Sequence, residues 1–284
     1  MLNDLKNDIR NGGALTMLIA GMIIIYVVAN VFPFLMGWQN ESTTFIHQYL
    51  AFPSSFHRWL QHPWTIITYA FFHADVFHIL FNLFAFYFFG DVLQDFIGKK
   101  HIVPVFIIGS IGGASLYMLF YNIFPFFQNT VANADLIGAS AGVMAILLAA
   151  TTITPELPIG FLIWRDLKLK YVALIFLVID LVSIVSSNAG GHIAHLGGAL
   201  LGYFYIKQLQ NGNDFGKLFQ FNFSKWKNRK RFQVHRNQPT ANVSAKEKKS
   251  DEQTLNKILE KISASGYESL SKTEKEFLKN YNEQ

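Results

Sequence analysis

No charged residue occurs between Leu15 and Leu35. A helix needs about 20 consecutive apolar residues to cross the hydrocarbon core of a bilayer. In lipid every backbone amide must find its partner within its own segment, so a run of this kind is predicted to be a membrane-spanning helix. The pattern recurs. Further spans are expected at about Thr65–Phe89, Ile102–Phe124, Gly138–Ile153, Tyr171–Ser187 and Gly191–Ile206. Charged residues make up 15% of the chain, against about 25% in an average soluble domain. The expected fold is therefore all-α, a polytopic six-helix membrane bundle with a small soluble helical tail.

Between the first two runs, Gly37 to Pro63 carries Glu41, Arg58 and several histidines, which is too polar to span. Its aromatics Phe45, Tyr49, Phe52, Phe56 and Trp59 suit a half-buried interfacial segment at headgroup depth. Basic residues fix the orientation. Lys99 and Lys100 lie between spans two and three; Arg165, Lys168 and Lys170 lie between four and five; a third group follows span six. With six spans these all fall on one side, so both termini are expected in the cytoplasm and the membrane is expected to be the cell (inner) membrane. The acidic–basic mixture before Leu15, and the length of the run after it, predict no removable targeting sequence.

Four segments follow: residues 1–13 as a cytoplasmic N-terminal stretch, 14–207 as the membrane domain, 208–250 as a basic linker, and 251–284 as a helical hairpin. The pI near 9.2 comes largely from Lys217 to Arg236 and is not read as nucleic-acid binding. That stretch interleaves basic residues with Phe219, Phe221, Phe223, Trp226 and Phe232. It suits a segment lying on an anionic leaflet of membrane lipid, with a solvated linker as the alternative. In the hairpin, Ser250 to Gln253 reads as a capping box and Leu255, Ile258, Leu259 and Ile262 as one apolar face. Gly266 is a stop, and Ser271 to Glu274 a second cap ahead of Phe277, Leu278 and Tyr281. So small a hairpin is expected to dock on an unidentified partner.

The chain has no cysteine, which excludes disulfides and cysteine chemistry. Its candidate nucleophile is Ser140, within Leu136-Ile137-Gly138-Ala139-Ser140-Ala141-Gly142. Taken alone, that stretch is accounted for by close helix packing, with the serine bonded back to its own helix. The wider pattern says more. Spans two, four and six run the same way, and each offers polar side chains near its outer start: His78 and Asn82, Ser140, and His195. Polar groups inside a membrane are costly and mark function by default. His195 is suited to remove the proton of Ser140. The Gly138–Gly142 and Gly198–Gly202 spacings are expected to let spans four and six approach. The Ser140 amide, at a helix N-terminus, together with His78 and Asn82, would form an oxyanion hole. Backbone bonding is the competing role for His78 and Asn82. His73 and His192 are read as loop-facing or interfacial. Asp180 is read as an interhelical bond, too deep in span five to join the catalytic group. A metal site from His73, Asp75, His78, His192 and His195 is the chemical rival, but it leaves Ser140 unexplained, so no metal or cofactor is expected.

These residues resemble the rhomboid intramembrane serine proteases over roughly residues 14–207. The pieces are His78-Ile79-Leu80-Phe81-Asn82, Gly138-Ala139-Ser140 and Ala194-His195-Leu196-Gly197-Gly198, in that order, with Trp64 to Thr68 and Phe72-His73 ahead of them. The resemblance implies a serine endopeptidase with Ser140 as nucleophile, His195 as base, and His78 and Asn82 at the oxyanion. It also implies transmembrane helices of other proteins as substrates and a site opening toward the outer face. A catalytically inactive relative that binds transmembrane clients is the alternative. The chain departs from the family at Ala141, where glycine is usual, and at Met144, where many members carry an aromatic residue.

Overall fold

The computed structural model describes residues 13–159, 166–185, 188–219 and 244–281. Two compact units are present, residues 1–221 and 222–284. In the first, α1 (Ala14–Met36) contains one π-helical turn at Val27–Val31. The amphipathic α2 (Gln39–Tyr49), β1 (Phe52–Pro53), α3 (Phe56–Gln61) and α4 (Thr65–Thr68) follow. Then come α5 (Val76–Ile97), α6 (Ile102–Ile123), β2 (Asp135–Leu136), α7 (Ser140–Ile153), α8 (Leu169–Ser183) and α9 (Ala189–Gln210).

Among the described residues, three helices are long and apolar enough to cross a membrane: Ala14–Met36, Val76–Ile97 and Lys99–Ile123. They correspond to the first three of the six expected spans. The 14-residue α7 reaches about 21 Å at about 1.5 Å per residue, short of a core about 30 Å thick. Its limits have local causes. Gly138, at φ +128°, holds a backbone that an L side chain avoids, and Thr154 precedes Pro155, which disfavours further helix. The second span also shifts. It begins at Val76 rather than Thr65, because Phe72 is extended and Asp75 caps the helix by accepting from the His78 amide at 2.8 Å.

The exposed apolar faces belong to the periphery. Ile24, Val28 and Leu35 on α1 are exposed, as are Phe77 and Phe81 on α5. A protein surrounded by acyl chains needs no polar outer face. The interior is built on small residues. Cβ atoms on Gly198 and Gly202 of α9 would collide with the Ala141 and Ala145 carbonyls of α7, so those two glycines set the approach of the two helices. Gly138 and Gly142, expected to share that task, do other work: Gly142 makes room for the Phe106 ring of α6, and Gly138 for the His78 ring.

The first loop is anchored rather than floating. β1 pairs antiparallel with β2, Phe52 opposite Leu136. Phe52 is buried among Tyr69, Tyr117 and Trp59, so it is core and not at headgroup depth, whereas Phe45 and Phe56 are exposed as expected.

In the second unit α10 runs Ser244–Ser265, starting ahead of the anticipated cap at Ser250. It stops at Gly266, φ +76°, and α11 spans Lys272–Tyr281. Ser271 and Glu274 cap α11 reciprocally: the Ser271 amide donates to Glu274 Oε2 (2.7 Å) and the Glu274 amide to Ser271 Oγ (3.3 Å). Most of the basic stretch from Lys217 to Arg236 lies outside the described residues, as do residues 1–12 and Arg165.

Candidate active site

Ser140 is the first residue of α7. The turn that delivers it is fixed from below. The Gly138 amide donates to the Tyr69 carbonyl (3.0 Å), and the Tyr69 hydroxyl donates to the Ser110 carbonyl (2.7 Å) inside α6. The Ala139 amide donates to Nε2 of His73 at 3.4 Å. His73 is thus buried beneath the serine turn and is not loop-facing. The amides of the first turn of α7, Ser140 included, have no acceptor within their own helix, the arrangement by which a helix N-terminus can receive an anion.

His195 comes from the first half of α9, and its Nδ1 lies 2.7 Å from Oδ1 of Asp180 on α8. His192, one turn earlier, places its Nδ1 2.8 Å from the same oxygen. Asp180 is 3% exposed. With the carboxylate accepting, both imidazoles carry their proton on Nδ1, which leaves Nε2 of His195 as a lone pair. Asp180 is therefore an interhelical bond, as expected, but not too deep to reach the histidine. His192 faces inward rather than the interface.

His78 and Asn82 stand one turn apart on α5. Asn82 Nδ2 donates to the His78 carbonyl at 2.8 Å, so one of its two N–H bonds is spent on its own helix. The His73 and His78 rings meet edge to face, with centroids 5.0 Å apart. The five-residue metal set considered from the sequence is not assembled. Among the described residues the group with converging ligand atoms is Asp180, His192 and His195.

Ser140, His195, His78 and Asn82 all line one cavity of about 690 Å³, with Asp75, Tyr121, Met144, Phe81 and Phe176 also in its wall. Phe81 of α5 and Phe176 of α8 border it and are exposed on the apolar periphery. The Ser140 hydroxyl makes no hydrogen bond among the described residues. A nucleophile and its base are often longer apart in a free enzyme than in its substrate complex.

The chain matches the rhomboid domain over residues 60–210, more than half of its length. It belongs to the rhomboid family. Two rhomboid relatives from Arabidopsis thaliana are similar to it: RHOMBOID-like protein 12, mitochondrial, 23% identical over 67% of this chain and 59% of the relative, and RHOMBOID-like protein 6, mitochondrial, 26% identical over 52% of this chain and 46% of the relative. The chain thus spans about half the length of the curated relatives it matches. Residues 243–284 match a family of unknown function, DUF6576. This rhomboid is an integral membrane protein.

Its two departures from the family pattern have different structural contexts. The methyl group of Ala141 occupies the space that Gly113 leaves on α6, where a Cβ would strike it. The added bulk is offset on the neighbouring helix. Met144 is buried and shares the cavity wall with His195. A flexible thioether supplies packing there without a fixed ring face.

Sequence reasoning missed that the bond of Asp180 is to His192 and His195 beside the cavity. A signal existed. An ionisable group in the middle of an apolar run needs a partner, and His192 and His195, three residues apart, share a helix face.

Proposed function

We propose that this rhomboid is an intramembrane serine endopeptidase. Ser140 attacks the peptide carbonyl and His195 takes its proton through Nε2. The Ser140 amide, His78 and the remaining N–H of Asn82 bind the oxyanion. The observation that carries this reading is that Ser140 and His195 face one cavity while the far nitrogen of His195 is tied to a buried carboxylate. Asp180 holds the imidazole in the tautomer a base requires and stabilises the imidazolium that forms. Substrates are transmembrane segments of other proteins. They would enter beside Phe81 and Phe176, where the cavity borders the apolar periphery, and the cut site would lie near the outer face. The six-span topology, cytoplasmic termini and placement in the cell membrane belong to the same reading, with the region beyond residue 208 outside the catalytic core.

Fluorophosphonate labelling of purified protein tests it. The adduct should map to Ser140 and vanish in Ser140→Ala and His195→Ala, and both variants should fail to cleave a single-span substrate in liposomes. Cleavage by Ser140→Ala would overturn the mechanism. A folded protein that binds transmembrane helices but neither labels nor cleaves is the inactive client-binding alternative.

A further inference from the structure

Two imidazoles converge on a single carboxylate oxygen, while the other oxygen, Asp180 Oδ2, is buried with no hydrogen-bond partner among the described residues. The ligand atoms of Asp180, His192 and His195 all lie within 4.8 Å of one another. An anionic carboxylate short of a hydrogen bond in a membrane interior is costly, and a cation bound at Oδ1 offsets the charge that both oxygens share. The ligand types are those that zinc takes: two imidazole nitrogens and one carboxylate, with a fourth position left open. Tetrahedral zinc, with bonds of about 2.0–2.2 Å, sets its ligand atoms about 3.3 Å apart. The two nitrogen–oxygen separations of 2.7 and 2.8 Å lie a little below that spacing, and the 4.8 Å that bounds all three ligand atoms lies above it. The side chains of His192 and His195 are 19% and 21% exposed, so an ion has a route in.

We propose that Asp180, His192 and His195 form a binding site for a zinc-like divalent transition-metal ion, and that its occupation switches off His195 as a base. The second half rests on the protease reading; the first does not. The logic is one of tautomers. An ion on Nδ1 takes the lone pair there, and the single proton of the neutral imidazole moves to Nε2. That is the nitrogen that must accept the proton of Ser140. An imidazole ligated at Nδ1 and protonated at Nε2 has nothing left to accept with. The ion is an inhibitor in this scheme, not a cofactor.

The test uses the full chain, purified without a histidine tag and stripped with chelator. Co²⁺ titrated into Ser140→Ala protein should give the visible absorption of a tetrahedral cobalt site, displaced by Zn²⁺. The absorption should be lost in Ser140→Ala/His192→Asn and in Ser140→Ala/Asp180→Asn, both checked for folding by their melting curves, and kept in Ser140→Ala/His78→Ala. No tetrahedral spectrum, or one indifferent to position 192, overturns the site. In parallel, fluorophosphonate labelling of the native serine should slow about 100-fold or more at saturating Zn²⁺, the lower end of what a general base contributes, and recover with chelator. Unchanged labelling at a Zn²⁺ concentration that saturates the cobalt-displacement signal overturns the switch. A chelated protein that never labels defeats the protease reading instead, and the cobalt spectrum still decides the site.

Discussion

His195 Nδ1 sits 2.7 Å from Asp180 Oδ1, joining α9 to α8 behind the cavity that Ser140 faces. The bond fixes which nitrogen of the imidazole is free. Asp180→Asn keeps the shape but removes the charge, and its amide can turn an N–H toward His195. The histidine then rests in the wrong tautomer for part of the time, and its protonated form loses its counter-ion. We expect kcat for a transmembrane substrate in chelated buffer to fall about 100-fold, with KM nearly unchanged, as for a group that acts through the base in the transition state. A rise in KM at constant kcat would assign Asp180 to substrate binding instead.

Ala141 and Gly113 are coupled across α7 and α6. Gly113→Ala drives a methyl group against that of Ala141 and brings it within 2.8 Å of the Ala194 carbonyl. Overpacking of this kind costs about 1–3 kcal/mol. It would also displace the first turn of α7, so activity should fall with stability. Ala141→Gly in the same chain should restore part of both, leaving the Ala194 contact as the residue of the damage. A double-mutant cycle from unfolding in mild denaturant should show this coupling; additive losses would place the strain elsewhere.

The third prediction concerns the first loop. Arg58 Nη1 stands at ion-pair distance, 2.9 Å, from Asp135 Oδ1, and His47 Nδ1 lies 3.3 Å from Oδ2. Asp135 belongs to β2, five residues ahead of Ser140. Arg58→Ala leaves a mostly buried carboxylate short of its cation. Because Arg58 is partly exposed, the loss is set at about 1–2 kcal/mol, between surface and buried pairs. Limited proteolysis of the loop at Phe52–Gln61 should accelerate in the variant. Rates equal to wild type would show that the β1–β2 pairing alone holds the loop.

The gathering of Ser140, His195, His78 and Asn82 around one cavity was legible in the sequence because polar residues are rare in apolar runs and these fall at matching ends of three helices. The α6 helix was legible to within a residue for the same reason of uninterrupted apolarity. The breaks were harder. Asp75 looked like part of a span, and only its bond to the His78 amide makes it a cap that starts one. Gly138 and Gly142 looked like a pair facing one helix, yet they face His78 and Phe106, since spacing fixes a helix face but not the neighbour that meets it. Asp180 was visible, but its depth was judged along its own helix. That His195 of α9 meets it is a tertiary fact, as is the close approach of α9 to the Ala141 and Ala145 carbonyls at Gly198 and Gly202.

The tail offers a prediction independent of the candidate site. Glu274 accepts from the Ser271 amide and pairs with Lys261 of α10 at 2.9 Å, which together hold its carboxyl down to about 2. A carboxyl depressed in the folded state adds stability that is complete above its unfolded value, about 4.3, and is lost as pH falls through the folded value. The hairpin should therefore be indifferent to pH between about 7 and 5 and weaken between about 4.3 and 2. Carboxyl NMR shifts of labelled Glu274 in the full chain read the titration directly. Glu274→Gln should abolish the acid-side loss while weakening the hairpin at neutral pH. A midpoint near that of an ordinary glutamate would mean that the Ser271 cap and the Lys261 pair do not persist in solution.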